Sequence, residues 1–357
     1  MNLSKDKKKI LITGGCGFIG SAVIRKLISQ SNLDIYNLDK MSYASNHISI
    51  EEKLNSRSKK NINYKLLRTD LYDYKSTMEA VDFASPDLIL HLAAESHVDR
   101  SIDSSNPFIN SNIVGTYNLL ESTRRYWNKL NIDKKEKFKF VHISTDEVFG
   151  SLDEIGSFDE NTSYSPRSPY SATKAASDHL VAAWNHTYDL PTLITNCSNN
   201  YGPWQFPEKL IPLVINKAIN NERIPIYGDG LNVRDWLYVE DHVDAIIKVA
   251  DEGEPGERFC IGGNNEQRNI DLVRKICNLL DEMIPKEQKY ENLIEFVKDR
   301  PGHDRRYAIN STLIKEKLSW SPKYSFNEGI SKTIKWYLNN QRWFKITSEK
   351  RIINLIN

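Results

Sequence analysis

A short apolar run, Lys9-Ile10-Leu11-Ile12-Thr13, passes directly into Gly14-Gly15-Cys16-Gly17-Phe18-Ile19-Gly20. Ser21-Ala22-Val23-Ile24-Arg25-Lys26-Leu27-Ile28 follows. The first run has strand character, and the last is apolar at helical spacing. Strand, glycine turn and helix in this order predict a dinucleotide site. The glycines let the backbone approach a pyrophosphate, whose charge then rests on the helix N-terminus. A strand followed by a crossover helix also commits the chain to a parallel sheet with helices on its faces. The spacing is G-x-x-G-x-x-G, and a glycine string alone is common turn punctuation. Its position between strand and helix gives it meaning. Gly14, Gly17, Phe18, Ile19 and Gly20 are the candidate contacts.

The next strand, Asp34–Leu38, ends in Asp39, nineteen residues after Gly20. A carboxylate there accepts from a ribose 2′-hydroxyl and repels a 2′-phosphate, which favours NAD over NADP. The competing reading is a turn or capping aspartate. Lys40, Met41 and Ser42 continue that strand end. Tyr64–Arg68 leads to Asp70 and Leu71, placed to meet the adenine. Asp87–Leu92 leads to Ala93, Ala94 and Ser96, small residues that let the backbone lie against the cofactor. His91 within that strand reads as a satisfied core histidine rather than a ligand.

Asn106 to Trp127 carries Ile109, Ile113, Tyr117 and Leu120 as a helical stripe. A second helix is predicted from Tyr170 to about His186. Both are expected to pack on the core on one side, with a helix-pair homodimer contact on another. Ser111 on the first helix is a candidate cofactor contact. The alternation predicts a Rossmann-type, doubly wound parallel sheet. A smaller C-terminal α/β substrate-binding domain is expected beside it. The expected division is residues 1–195, mainly cofactor-binding, and 196–343, mainly substrate-binding. The chain is expected to cross between the two, and 344–357 stays unassigned.

Composition excludes several classes. The 357 residues carry a net charge of +1, which argues against a nucleic-acid partner. No apolar run reaches the ~18 residues of a membrane span. Cys16, Cys197, Cys260 and Cys277 show no metal or disulfide spacing, which fits reduced thiols in a cytoplasmic protein. No metal is expected.

The chemistry is concentrated in two places. Phe138–Ser144 reads as a strand and ends in Thr145-Asp146-Glu147. Ser168-Pro169-Tyr170-Ser171-Ala172-Thr173-Lys174 reads as a helix start. Tyr170 and Lys174 are four apart and share a helix face. A phenol is a poor base at neutral pH. A nearby ammonium and a positive nicotinamide are expected to lower its pKa. Such a pair takes a proton from an alcohol while hydride leaves its carbon. Asp146 and Glu147 add more acid-base capacity than hydride transfer needs, and two adjacent carboxyls can titrate apart. The competing reading for that pair is a solvated acidic turn.

These residues resemble the extended short-chain dehydrogenase/reductase family. Ser144-Thr145-Asp146-Glu147-Val148-Phe149-Gly150 is similar to the signature of its nucleotide-sugar 4,6-dehydratases. The resemblance runs from about residue 9 to 340. It takes in Leu92–Ser101, Ser198–Pro203, Phe206–Pro212, Val233–His242 and Asp299–Tyr307. It implies oxidation at the sugar C4, elimination of water across C5 and C6, and return of hydride to C6 from tightly bound NAD. Its length favours dTDP-glucose over CDP-, UDP- or GDP-hexoses. Tyr170 would be the base at the 4-hydroxyl and Thr145 its hydrogen-bond partner. Lys174 would hold the ribose, Glu147 would remove the C5 proton, and Asp146 would protonate the leaving hydroxyl. The resemblance further places Ser96, Asn199, Lys209 and Leu210 around the sugar and diphosphate, and Asn200 at the cofactor. Pro225, Ile226 and Tyr227 fall by the base. Arg234, Asn269, Arg300 and His303 surround the diphosphate and nucleoside.

The departures are small. Phe149 stands where tyrosine is common and Thr173 where serine is common, and neither removes a catalytic group. Trp204 and Trp236 read as packing, Asp241 as a helix-cap acid, and Ile48–Lys60 as a polar surface helix. Two other functions fit the fold. An epimerase or decarboxylase would keep Tyr170 and Lys174 without needing the acid pair. A non-catalytic sugar-nucleotide sensor would be expected to have lost part of this machinery.

Overall fold

The computed structural model describes residues 8–30, 32–56 and 63–347. Six strands of the first half are β1 (Lys8–Thr13), β2 (Leu33–Asp39), β3 (Asn63–Arg68), β4 (Leu88–His91), β5 (Lys139–Thr145) and β6 (Thr192–Cys197). They form a parallel sheet in the order β6-β5-β4-β1-β2-β3, the doubly wound arrangement predicted. Strand order reverses between β1 and β4, so the crevice beyond their carboxyl ends is the natural ligand site.

The sheet is buried on both faces, as apolar parallel strands require. Ile10 and Ile12 point into one layer with the helix Phe18–Leu27. Leu11 points into the opposite layer with Leu119, Leu120 and Val181. Period-two alternation on one strand thus serves two cores.

The remaining strands are β7 (Asn199–Tyr201), β8 (Ile224–Tyr227), β9 (Val233–Tyr238), β10 (Arg258–Ile261), β11 (Glu266–Arg268) and β12 (Ile294–Val297). β10 leaves the C-terminal half and pairs with β6 as a seventh parallel strand. The helix Val239–Glu252 returns with it and packs against Phe18–Leu27. The rest builds a second layered unit. Its β11-β9-β7 and β12-β8 sheets share a core with the helices Leu210–Ile219, Asn269–Met283 and Phe326–Asn339. Trp343 and Phe344 are buried in that core, so the start of the unassigned tail is part of the fold. Residues 348–357 lie outside the described residues.

One sequence expectation needs correction, one runs beyond the described residues, and one is extended. The helix predicted over Asn106–Trp127 is interrupted by a π-helical stretch, Ile109–Val114, before an α-helix over Gly115–Asn128. The extra residue of a π-turn shifts register, so Ile109 and Tyr117 face solvent at 43% and 45% exposure while Asn112, Thr116 and Leu119 turn inward. The polar helix is Ile48–Asn55, and its expected end at Lys60 falls outside the described residues. Asp241 is an acid in the first turn of its helix, as the sequence suggests, and has a second role. Its carboxylate accepts from the backbone N–H groups of Lys323 and Tyr324, tying two distant segments.

Candidate active site

Backbone geometry builds the cofactor end. Gly14 sits at φ +68°, and a Cβ there would lie 2.6 Å from the backbone of Ala93. A Cβ on Gly20 would meet the carbonyl of Gly14 at 2.3 Å. Only glycine permits this approach of turn, helix and β4 loop. The helix begins at Phe18 with no side-chain cap and no acid in its first turn, leaving its N–H groups for an anion. Asp39 ends β2, where its carboxylate accepts from the N–H of Cys16 at 2.9 Å and of Met41 at 2.7 Å.

One cleft joins these features to the acid-base residues. Its walls include Gly14, Gly17, Phe18, Ile19, Gly20, Asp39, Lys40, Ser42, Asp70 and Leu71. Leu92, Ala93, Ala94, Ser96, Ser111, Tyr170, Lys174 and Asn200 also line it. Met41 supplies backbone contact to Asp39 and is not part of the lining. These residues fit a dinucleotide, because the turn cannot hold side chains and a buried acid stands at the ribose position. The π-helical stretch has a role here. Asn112 donates to the carbonyl of Glu95 at 3.0 Å and to Thr173 Oγ1 at 2.9 Å, while its own carbonyl accepts from the N–H of Glu95. It thereby pins the Ala93–Ser96 loop to the helix Pro169–Tyr188. His91 is a core residue as expected, spanning Thr13 Oγ1 at 2.7 Å and Thr116 Oγ1 at 2.9 Å.

The catalytic candidates converge from two element ends. Thr145 closes β5, and Asp146 and Glu147 open the 3-10 turn Asp146–Phe149 behind it. Ser168 and Ser171 form a capping box with Pro169 in the first turn, which fixes Tyr170 at the start of its helix. Asp146 is 1% exposed. Burial, then the charges of Glu147 and Asp235, push its pKa well above the usual carboxylate range. Its Oδ2 has no partner among the described residues. Burial also raises Glu147, but Arg300, Arg234 and Lys209 oppose the shift. The two carboxyls therefore stand in different fields, one screened by acids and one by cations.

The tyrosine differs from expectation. Burial, followed by the charges of Glu147 and Cys197, raises the Tyr170 hydroxyl well above its ordinary value, and a hydrogen bond from Thr145 opposes this. Lys174 does not lower it in the chain alone, because its ammonium turns to the carbonyl of Ile143 at 2.9 Å. A further cation is needed beside the phenol.

The substrate candidates form a second group above the first. Thr145, Ser96, Asn199 and Lys209 line the cleft itself. Lys209 donates to the carbonyl of Ser96 at 2.6 Å, joining both sides of the cleft. Leu210 is half-buried and starts the next helix. Tyr227 and His303 stand edge to face at 6.4 Å, with Pro225 half-buried beside them on β8. Ile226 is 2% exposed in the core, so only its backbone can meet a ligand. Arg300 pairs with Asp99 at 3.0 Å. Arg234 stacks 4.1 Å over Tyr307 and donates to the carbonyl of Asp304. Asn199 Oδ1, Asn269 Oδ1 and Arg300 Nε are buried without partners among the described residues. Buried polar atoms of this kind require a hydrogen-bonding ligand or water.

Several contributors escaped the sequence reading. Glu208 accepts from the Tyr43 hydroxyl at 2.9 Å and lies 3.8 Å from His97 and 3.9 Å from Arg100. Arg100 stacks 3.7 Å over the Tyr43 ring. This cluster straps the β2 loop to the Phe206–Lys209 loop across the cleft. His97, Arg100 and Glu208 lie within Leu92–Ser101 and Phe206–Pro212 and Tyr43 lies in neither, and nothing in their spacing reveals that they meet. His242, buried and held neutral with its pKa near 3, contacts Asn200 Oδ1 at 2.9 Å and orients that amide. Cys16 is buried, and the amide of Asn37 donates to its sulfur at 3.2 Å. Phe149 fills a ring cluster with Phe158 at 5.2 Å and Tyr164 at 5.3 Å.

Comparison with known proteins agrees with this geometry. The GDP-mannose 4,6 dehydratase family model matches residues 11–333. The chain is 52% identical to dTDP-glucose 4,6-dehydratase 1 of Escherichia coli K12 over 344 residues, 94% of each chain. It is 53% identical to the Salmonella typhimurium dTDP-glucose 4,6-dehydratase over 344 residues, again 94% of each. Its structure is similar to the NAD complex of the Bacillus anthracis dTDP-glucose 4,6-dehydratase. The TM-score is 0.83, with 40% identity over 95% of this chain and 99% of that one. It is likewise similar to the Streptomyces venezuelae dTDP-glucose 4,6-dehydratase with NAD and the ligand TYD bound. There the TM-score is 0.84, with 36% identity over 95% and 99%. Matches of this extent mean that the chain belongs to the dTDP-glucose 4,6-dehydratase family.

Proposed function

We propose that the protein converts dTDP-glucose to dTDP-4-keto-6-deoxyglucose and water, using NAD that ends the cycle in the form in which it began. The observation that carries this reading is the split environment of Asp146 and Glu147. An epimerase needs only the tyrosine–lysine pair, whereas elimination needs one proton donor and one acceptor together. Burial and neighbouring acids favour the protonated form of Asp146, whereas Arg300, Arg234 and Lys209 favour the ionised form of Glu147 against its burial.

Tyr170 takes the proton of the sugar 4-hydroxyl, with Thr145 hydrogen-bonded at the same oxygen. Bound NAD supplies the hydride acceptor at C4, the positive charge beside Tyr170, and the hydride returned at C6. The C4 ketone acidifies the neighbouring C5 proton, and Glu147 removes it. Asp146 protonates the C6 hydroxyl, which leaves as water. A proton then returns to C5 from Glu147, and the proton that Tyr170 took from the 4-hydroxyl replaces, by way of solvent after product release, the one that Asp146 lost in the water, so that both groups are reset. Burial of the acid pair keeps bulk water from competing for these protons.

The nucleotide-sugar half, residues 196–343, is proposed to hold the substrate. Arg234 and Arg300 suit a diphosphate because the guanidinium fork is planar and permanently charged. Asn199, Lys209 and Leu210 would meet the sugar and diphosphate, Asn269 and His303 the nucleoside, and Tyr227 the base with Pro225 and the Ile226 backbone. Gly14 to Gly20, Asp39 to Ser42, Asp70, Leu71, Leu92 to Ala94, Ser111 and Asn200 would hold NAD, with Lys174 on its ribose. The chain is proposed to act in the cytoplasm as a homodimer through its two long helices. Tyr117, 45% exposed, and Tyr188, 41% exposed, pack edge to face with Trp184 between them as an uncovered aromatic strip. A Tyr117→Arg variant that keeps the wild-type hydrodynamic mass would remove that interface.

The decisive experiment incubates the purified protein with dTDP-, UDP-, CDP- and GDP-hexoses and analyses the products. A 4-keto-6-deoxy sugar from dTDP-glucose is expected. A product that retains its C6 oxygen would mean epimerisation, and no product with NAD bound would mean a sensor.

A further inference from the structure

Behind the catalytic pair lies a buried polar cluster that the mechanism above does not use. Asp178 is 0% exposed, four residues after Lys174 and on the same helix face. Its Oδ1 lies 3.1 Å from His142 Nε2, and that nitrogen lies 3.5 Å from the Lys174 ammonium. Its Oδ2 accepts from the Tyr164 hydroxyl at 2.6 Å and from the Asn196 amide at 3.1 Å. Asn196 donates in turn to the carbonyl of Thr145 at 3.0 Å. The cluster thus joins the lysine to the strand end that presents the catalytic threonine and acids.

We propose that Asp178 is a positioning residue for the reaction: its buried carboxylate supplies the counter-charge of the Lys174 ammonium one helical turn away and, through Asn196, ties that helix to the strand end at Thr145. The inference rests on the reading of Lys174 as a charged partner of Tyr170 and the cofactor.

The charge inventory supports it. Lys174 is 4% exposed and donates to the neutral carbonyl of Ile143. A buried ammonium without a counter-ion surrenders its proton. The titratable groups facing Lys174 are Asp178 on its own helix, His142 on β5, Cys197 on β6 and His91 on β4. Burial and the lysine charge push His142 down to about 4, and burial also holds His91 well below its ordinary value. Burial raises the Cys197 thiol. All three are neutral at pH 7. Burial would raise Asp178 too, but the His142 hydrogen bond, the Lys174 charge and the Tyr164 hydroxyl bring it below the usual carboxylate range. Among these groups Asp178 alone carries negative charge.

The test uses the NAD-loaded enzyme and four variants. Asp178→Asn keeps the shape and removes the charge. The alkaline limb of its kcat/KM profile should move acid by about one pH unit. The pH at which NAD begins to dissociate, measured without turnover, should move with it. Tyr164→Phe leaves the carboxylate and should leave both limbs in place. Asn196→Ala removes the tie between the carboxylate and the Thr145 carbonyl but not the charge, so kcat should fall by as much as about 100-fold through misplacement while the alkaline limb stays. Lys174→Met should be inactive. A folded Asp178→Asn enzyme with an unmoved limb and unmoved NAD release overturns the inference, as does a fully active Asn196→Ala enzyme should Asp178→Asn fail to fold. Full activity in Lys174→Met would instead overturn the reading of the lysine itself.

Discussion

Asp146→Asn is the sharpest test of the elimination chemistry, because it separates charge state from shape. The side chain is 1% exposed, and burial, Glu147 and Asp235 all favour its neutral form. Asparagine copies that neutral form but cannot give up a proton. General acid catalysis is worth about 10²–10⁴-fold. The buried Asp146 side chain leaves little room for water to replace the acid, and the cations Arg300, Arg234 and Lys209 oppose protonation of Glu147. The loss in kcat should therefore lie in the upper part of that range, about 10³–10⁴-fold, or ~4–5.5 kcal/mol. C4 oxidation and C5 proton exchange should survive, so incubation in D₂O should put deuterium at C5 of unreacted substrate while little water is lost.

The same variant carries a stability signature. The folded pKa of Asp146 is raised above the unfolded value of about 4, so the folded state holds the extra proton. Its contribution is fully present below pH ~4 and is lost as pH rises toward the folded pKa. Asparagine has no such dependence. The melting temperature of Asp146→Asn relative to wild type should therefore climb between pH 4 and neutrality. A difference that is flat with pH, or a kcat within tenfold of wild type, would refute a protonated Asp146 acting as the acid.

Other outcomes follow from the same geometry. Glu147→Gln should stall after C4 oxidation, with reduced nicotinamide absorbance persisting and no deuterium at C5. Tyr170→Phe should show no reduced nicotinamide at all, and normal reduction there would remove Tyr170 as the base. Gly20→Ala places a Cβ 2.3 Å from the Gly14 carbonyl. It should lose about 1–3 kcal/mol of stability and its bound NAD, as read by melting and by cofactor content after gel filtration. Tyr43→Phe removes the 2.9 Å bond to Glu208 that straps the cleft. Hydrogen bonds to charged groups are worth about 1.5–3 kcal/mol, so NAD should dissociate roughly 10–100-fold faster, and an unchanged rate would deny the strap a retaining role.

Much of this protein is local information and could be read directly. The βα unit at Lys8–Leu27 follows from apolar period, glycine and helix spacing within twenty residues. The parallel, doubly wound character of the sheet follows from the alternation of strand and helix along the chain. Tyr170 and Lys174 share a face because they are one helical turn apart, and the capping serines that seat them lie three residues from each other.

Contacts between distant segments were decided only in three dimensions. β10 joins the large sheet from the far half of the chain, because β6 presents an open edge that its apolar Phe259, Cys260 and Ile261 can cover. The π-turn at Ile109–Val114 turns Ile109 and Tyr117 of the predicted stripe outward while Leu120 stays buried, and it brings Asn112 to Glu95 and Thr173. Sequence alone identified an acid pair at Asp146-Glu147 and could say that two such carboxyls can titrate apart. Which one keeps its proton depended on Asp235 approaching one and Arg234, Arg300 and Lys209 the other, from positions 62 to 153 residues away. Charge state is a property of a field summed over neighbours, and a linear chain does not list its neighbours in space.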